Sequence, residues 1–204
     1  MAKNRLLWVI LPYLAVYLGM MTLRSAWGAL VGFHLTLLPL LVIHRGTISP
    51  RLRAPLSKGI LLPVAAAGLS AGLGLWLTWP YAGLPADFPV WVAALGLSGF
   101  VWPFFIAYFA LINPWLEEAY WREVLASPSP YPAPVDFLFA GYHLIILGPF
   151  VDPRWMLLAF AILAAAGWCW RRVSRYTGSL LPAVFSHMLA DFSILMVLYL
   201  KASV

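Results

Sequence analysis

The sequence predicts an all-α fold, a polytopic membrane bundle of about seven transmembrane helices with one additional short helix over 114–126. Of the 204 residues, 63% are hydrophobic and 10% are charged, whereas soluble domains have roughly 45–50% and about 25%. Uncharged apolar runs of about 20 residues are typical of helices that cross a bilayer. The seven runs cover 6–23, 26–43, 59–79, 90–112, 135–150, 155–170 and 179–200.

The first run follows two basic residues, as a signal peptide would. It is too long for the apolar part of such a peptide, and no clean cleavage site follows it, so we expect a retained first span. The third run contains glycines that predict close packing against another helix: Gly68, Gly72 and Gly74. The fifth and sixth runs are short, and their ends are the least well defined.

The formal net charge of +6 reflects membrane topology. With the N-terminus in the cytoplasm, three basic residues lie outside: Arg24, Arg154 and Lys201. The other ten lie inside: Lys3, Arg5, Arg45, Arg51, Arg53, Lys58, Arg122, Arg171, Arg172 and Arg175. This bias predicts an N-in, C-out, multi-pass protein of the cell (inner) membrane. It argues against nucleic acid as a partner and for membrane lipids, with anionic lipid near the 44–58 loop.

The segment after the fourth run predicts a short, separate helix. Asn113 and Pro114 suit the N-cap and the first helical position. Four prolines between Ser127 and Pro134 would end the helix. The predicted helix over 114–126 therefore lies between two breaks, on the cytoplasmic side.

This helix carries two adjacent glutamates with different surroundings. Glu118 and Arg122 are four residues apart on one face, in the favourable order for an ion pair. Glu117 lies about 100° away on the helical wheel. Its neighbours are Tyr120, Trp121 and Val124. A carboxyl group in apolar surroundings can exchange protons near neutral pH, so Glu117 is the candidate acid or base and the pair is its scaffold. The alternative is an ordinary interfacial helix with solvated charges.

Two histidines are predicted to lie at one depth in the bundle. His143 and His187 each lie about eight residues into a span that starts from the cytoplasmic side, roughly 12 Å below that surface. Asp191 is one turn from His187, where it could accept a proton from the ring or bind what the histidine binds. Phe139 shares the face of His143 and would pack against it. The sequence suggests no role for the other two histidines, His34 and His44.

Such a set of side chains inside a membrane suits hydrolysis by two routes. In one, Glu117 is the base for a water molecule while the histidines orient it or stabilise an oxyanion. In the other, glutamate and histidine hold a zinc ion. No cofactor is favoured by the sequence, and zinc is the candidate metal. A serine nucleophile has less support, because Ser186 and Ser193 flank the motif of His187 and Asp191 but neither has an activating context of its own.

Three motifs in this order resemble the CPBP family, the CAAX protease and bacteriocin-processing intramembrane endopeptidases, also called the Abi family. They are Glu117-Glu118-xxx-Arg122, Phe139-xxx-His143 and His187-xxx-Asp191. The run from Gly178 to Pro182 is similar to the usual lead-in to the third motif. The resemblance covers 117–191.

The resemblance implies a cavity open to the cytoplasm, in which Glu117 and His143 activate water. His187 and Asp191 would bind the oxyanion, with support from the Glu118–Arg122 pair. Two residues depart from the family pattern. Glu123 replaces a frequent glycine, and Asp191 replaces the asparagine of the prenyl-protein proteases. An ionised Asp191 would repel an oxyanion, so it must be protonated, pair with a protonated His187 or hold a metal. We favour the metal-free glutamate mechanism.

The prediction is one membrane domain over 1–204, with a catalytic core over about 113–200. Its function would be to cleave a peptide bond near the cytoplasmic face of the membrane, in a peptide or lipidated protein. Two alternatives remain, a non-proteolytic binding or immunity protein on the same scaffold and a small proton-coupled transporter. A transporter would be expected to show an internal repeat or paired broken helices, and the sequence shows neither.

Overall fold

The computed structural model describes residues 2–56 and 58–202, and within them every regular element is helical. The α-helices are α1 (Ala2–Tyr17), α2 (Ala26–Ile43), α3 (Arg45–Arg53), α4 (Lys58–Thr78), α5 (Phe88–Ala94), α6 (Val101–Ala119), α7 (Pro134–Leu147), α8 (Pro153–Thr177) and α9 (Leu181–Ala202). Two π-helical segments, Leu18–Thr22 and Tyr120–Val124, continue α1 and α6. A short 3₁₀ turn, Trp79–Tyr81, follows α4.

Four of the described helical stretches are long and apolar enough to cross a membrane: Ala26–Ile43, Lys58–Tyr81, Pro153–Thr177 and Leu181–Ala202. Two shorter apolar helices are Leu6–Thr22 and Pro134–Leu147. This architecture confirms the prediction of an all-α membrane bundle.

The fourth predicted span, 90–112, is wrong as a single helix. Gly96 and Gly99 have φ angles of +82° and +49°, a left-handed backbone conformation that glycine adopts without steric cost. They separate α5 from α6. The long helix of this region therefore begins about ten residues later than predicted, at Val101.

The prediction of a separate helix over 114–126 is also wrong. α6 runs without a break through Asn113 and Pro114, and the π-helix Tyr120–Val124 continues it. The Asn113 side chain is buried and bonds to groups inside the bundle, so it does not cap a helix. Proline removes one backbone hydrogen bond, but the packing of α6 against α9 supports both halves of the helix.

α4 and α9 pack closely along their length. A Cβ atom at Gly68 would overlap the backbone of Ser186, and one at Gly72 would overlap Ser193. The Gly72 amide also donates to Oγ of Ser193, at 3.1 Å. Gly74 has nothing within 4 Å of its Cβ position. The predicted close packing is therefore right for two of the three glycines and wrong for Gly74.

The proline-rich segment between α6 and α7 is tied to α8 by Arg171. This fully buried guanidinium donates to both oxygens of Asp136, at 2.9 and 2.6 Å. It also donates to three backbone carbonyls of the segment, those of Ser127, Ser129 and Tyr131. Asp136 in turn accepts from the Ala133 amide at the start of α7. One buried ion pair thus holds both the segment and the helix that follows it.

Arg51 connects α3 to the end of α6. Its side chain pairs with Glu123 and donates to the carbonyl of Ser174, at 2.7 Å. The Arg51 carbonyl accepts from the Leu180 amide in the turn before α9. Glu123, a departure from the family pattern, therefore takes part in an ion pair that fastens α3 beside the site.

Candidate active site

The charged residues at the end of α6 are enclosed by the bundle. Glu117 is 1% exposed, while Glu118 and Arg122 are 0% exposed. The alternative of an interfacial helix with solvated charges is therefore wrong. Ionised groups cost several kcal/mol in an apolar interior unless they are paired, so their partners determine what each of them can do.

Glu118 has two partners. Oε2 accepts from Nε of Arg122 at 3.2 Å, which is the ion pair expected from the spacing. Oε1 lies 3.0 Å from Nδ1 of His187. The guanidinium of Arg122 lies over the ring of Phe139, with its Cζ atom 4.4 Å from the ring centroid. Glu118 therefore joins the first motif to the third.

Glu117 has one fixed carboxyl oxygen and one without a protein partner. Oε1 accepts from Nδ2 of Asn113, at 2.7 Å, and from the hydroxyl of Tyr142, at 2.6 Å. Oε2 is buried and has no hydrogen-bond partner among the described residues. A carboxyl group bound in this way is held in one orientation and keeps one oxygen available for a small polar molecule.

His143 presents one nitrogen for chemistry. Its Nδ1 lies 2.8 Å from the carbonyl of Phe139. A carbonyl only accepts, so Nδ1 carries the proton and the lone pair of the neutral ring is on Nε2. The imidazole and the ring of Tyr142 have centroids 4.0 Å apart. Tyr142 therefore borders His143 while its hydroxyl donates to Glu117.

His187 lies between two carboxylates. Its Nδ1 faces Glu118 and its Nε2 is 3.4 Å from Oδ1 of Asp191. The ring stacks on Trp170, at 4.3 Å between centroids and 22° between planes. Of the three options for Asp191, the geometry corresponds to a pair with His187. Its Oδ2 atom is buried and has no partner in the described part of the chain.

The ring of Phe139 is common to the three motifs. Its centroid lies 4.9 Å from that of His143 and 5.9 Å from that of His187. The guanidinium of Arg122 covers it as well. The structure thus joins five of the six predicted site residues, Glu118, Arg122, His143, His187 and Asp191, by direct contacts or through this ring. The sixth, Glu117, is connected to His143 by Tyr142, whose hydroxyl donates to Glu117 and whose ring lies against the imidazole.

Sequence reasoning missed Asn113 and Tyr142. Asn113 is four residues before Glu117, a helical spacing that would have identified it had Pro114 not suggested a helix start. Tyr142 is next to His143 but contacts Glu117 across 25 residues of sequence. No local pattern indicates that contact.

The donor set does not fit a zinc ion well. Among residues 2–56 and 58–202, no group of three or more His, Cys, Asp or Glu side chains is arranged to hold a metal. Both nitrogens of His187 face carboxylates, and one oxygen of Glu117 is bound to Asn113 and Tyr142. These bonds take both nitrogens of His187 and Oε1 of Glu117 out of a ligand set, and leave Oε2 of Glu117, Nε2 of His143 and Oδ2 of Asp191 without protein partners.

Comparison with known families agrees with the three motifs. Residues 98–193 match the family model described as Rce1-like, type II CAAX prenyl endopeptidase Rce1-like. The match includes every predicted site residue, and it confirms the resemblance to CAAX proteases. At the level of the family it supports an intramembrane protease. No curated protein and no solved structure matches the chain.

Proposed function

We propose that this chain is an intramembrane endopeptidase in which Glu117 activates a water molecule to hydrolyse a peptide bond near the cytoplasmic membrane face. The observation that carries the proposal is the Glu117 carboxyl group, which is buried with Oε1 fixed by two donors and Oε2 without a partner. A general base needs this combination of fixed geometry and one available oxygen.

The proposed reaction uses the side chains of Glu117 and His143. Glu117 takes a proton from the water while the water oxygen attacks the carbonyl carbon of the substrate. His143, with its Nε2 lone pair available, orients the same water. The proton then passes to the amide nitrogen as the carbon–nitrogen bond breaks, which gives a free amine and a carboxylic acid that ionises in water.

The His187 side of the site would stabilise the oxyanion of the tetrahedral intermediate. With both carboxylate neighbours ionised, each nitrogen of His187 donates to one of them, so the positive ring would offset the charge on the oxygen by its own charge and not by a hydrogen bond. Asp191 maintains this state by its pairing with Nε2. Glu118 and Arg122 position His187 and do not touch the substrate.

The substrate class proposed for this site is a peptide or protein segment with a lipid attached, such as a prenylated C-terminus. A lipid tail can remain in the bilayer while the adjacent peptide enters a site between helices. The location that suits this substrate is the cell (inner) membrane with the N-terminus in the cytoplasm, as the positive-inside bias predicts.

The test is cleavage of quenched fluorescent peptides, with and without a prenyl group, by purified protein and its Glu117→Gln variant. Glutamine keeps the size of the side chain and removes the base, so kcat should fall by at least about 10²-fold. Asp87→Asn is the matched control, because Asp87 is exposed and its side chain accepts from the Trp91 ring nitrogen, away from the site.

Equal activity of the wild type and Glu117→Gln would overturn the proposed mechanism. If a broad panel of peptides remains intact with the wild type, the peptidase function itself fails. A binding or immunity protein on the same scaffold would then be favoured, or a proton-coupled transporter if proteoliposomes show uptake driven by a pH gradient.

A further inference from the structure

A buried hydrogen-bonded chain leads from α2 to the candidate base. Nε2 of His34 lies 3.0 Å from Oδ1 of Asn113, and Nδ2 of Asn113 donates to Glu117 at 2.7 Å. On the far side of His34, the hydroxyl of Tyr108 is 3.3 Å from Nδ1. His34 is 5% exposed and Asn113 is 1% exposed. None of the three residues belongs to the motifs that carry the family resemblance.

The bonds in this chain have one consistent direction. Oδ1 of Asn113 only accepts, so Nε2 of His34 carries the proton. The Nδ1 atom of the neutral ring must then accept, and the Tyr108 hydroxyl donates to it. In this tautomer His34 stabilises the orientation in which the Asn113 nitrogen faces Glu117. If the amide were turned over, its oxygen would face the carboxylate, and two acceptors would be buried against each other.

We propose that His34 and Asn113 act as positioning residues that hold the Glu117 carboxyl group in its productive orientation, with Tyr108 setting the tautomer of His34. This inference rests on the proposed function of Glu117 as the base. The Asn113 amide and the Tyr142 hydroxyl hold Oε1 from two directions, so that Oε2 is the oxygen that meets the water.

The competing explanation is a plain structural tie between α2 and α6. A tie needs only a bond between residues 34 and 113 and is indifferent to which atom of residue 113 faces Glu117. A positioning role requires that the atom of residue 113 next to Glu117 is a hydrogen-bond donor. The two explanations therefore differ for a substitution that keeps the bond to His34 and removes the donor.

Asn113→Asp is that substitution. A carboxylate of the same shape can still accept from His34, but it places an acceptor against the acceptor Oε1 of Glu117. We expect kcat for peptide cleavage to fall about ten- to hundredfold with KM nearly unchanged. A purely structural tie predicts wild-type kcat.

Two variants of His34 form a matched pair. In His34→Gln the side-chain amide nitrogen replaces Nε2 and can donate to Asn113, so kcat should stay within about threefold of the wild type. His34→Asn is too short to reach Asn113 and should lose about tenfold or more. Thermal midpoints in the same detergent would show that both variants are folded.

Wild-type kcat in Asn113→Asp or in His34→Asn would overturn the inference while leaving the proposed function intact. If His34→Asn does not fold, Asn113→Asp decides, and its thermal midpoint in the same detergent shows whether the added buried carboxylate leaves the fold intact. Failure of the wild type to cleave any peptide is a separate result. It would overturn the proposed function and this inference with it.

Discussion

Glu118 of α6 and His187 of α9 are joined by a buried contact of 3.0 Å between Oε1 and Nδ1, across 69 residues of sequence. The same carboxylate binds Arg122 through its other oxygen. Each oxygen of Glu118 thus has a separate partner, and the position of His187 depends on a residue that we expect to have no contact with substrate.

Glu118→Gln should therefore impair the site without removing the base. The amide cannot match a carboxylate for both Arg122 and His187, and loss of one partner of a buried charged pair typically costs 3–5 kcal/mol. We expect a lower thermal midpoint and a fall in kcat of about 10²-fold or more. Differential scanning fluorimetry and peptide cleavage would measure the two effects. A variant with wild-type kcat would show that Glu118 has no influence on catalysis.

Two substitutions of Asp191 separate its hydrogen bond to His187 from its negative charge. In Asp191→Asn the amide oxygen can still accept from Nε2 of His187, and the amide nitrogen places a donor where Oδ2 now has no partner. Under the oxyanion mechanism, kcat should stay within about tenfold of the wild type, whereas Asp191→Leu should lose about 10²-fold. Equal losses in both variants would show that the carboxylate itself is required.

Removal of metal ions should leave the activity unchanged. Both nitrogens of His187 face carboxylates, and no group of three or more His, Cys, Asp or Glu side chains among the described residues is arranged to hold a metal. Dialysis against a strong chelator should change kcat by less than about twofold, and elemental analysis should find far less than one zinc per chain. Loss of activity that added zinc restores would contradict the glutamate mechanism.

The glycines of α4 provide a test of the packing. A side chain at Gly68 would overlap the backbone of Ser186 on α9, one residue before His187. Gly68→Val should lower the thermal midpoint and reduce activity, because overpacking typically costs 1–3 kcal/mol. Gly74→Val, in open space on the same helix, is the control and should resemble the wild type. Equal stability of the two variants would contradict the close approach of α4 and α9.

Arg171 and Arg172 are adjacent on α8 but differ in burial. Arg171→Met leaves Asp136 as a buried carboxylate without its cation, at a cost of about 3–5 kcal/mol. It also removes the guanidinium that donates hydrogen bonds to three carbonyls of the proline-rich segment. Limited proteolysis should then cut within 125–133, whereas Arg172→Met should remain resistant. Resistance of both variants would show that Arg171 does not hold the segment.

Local rules of helix geometry were sufficient to predict some of the contacts in this site. The Glu118–Arg122 pair and the Phe139–His143 packing each follow from a spacing of four residues on one helix. The His34–Asn113, Tyr142–Glu117 and Glu118–His187 contacts join residues 25–79 positions apart. They depend on how helices pack, so the spacing of residues in the sequence does not reveal them.

The misread helix start has a similar cause. Asn followed by Pro is a common helix beginning, but the same pair occurs inside a helix when its polar group has buried partners. Asn113 has two such partners: Glu117, one turn further along the same helix, and His34, which is 79 residues away in the sequence. The buried partners of the asparagine therefore decided the outcome over its local preference for a helix start.

The π-helix Tyr120–Val124 determines how this region can change in length. Each i→i+5 bond encloses one residue more than an α-helical bond does, so the chain beyond Ala119 is offset by one position from a regular helix. A deletion of one residue here can be absorbed by a return to α-helical winding. Arg122 and Glu123 both lie in this segment, so such a change alters the register of the ion pairs that they form with Glu118 and Arg51. The length change most compatible with this region is therefore one that keeps Arg122 four residues after Glu118.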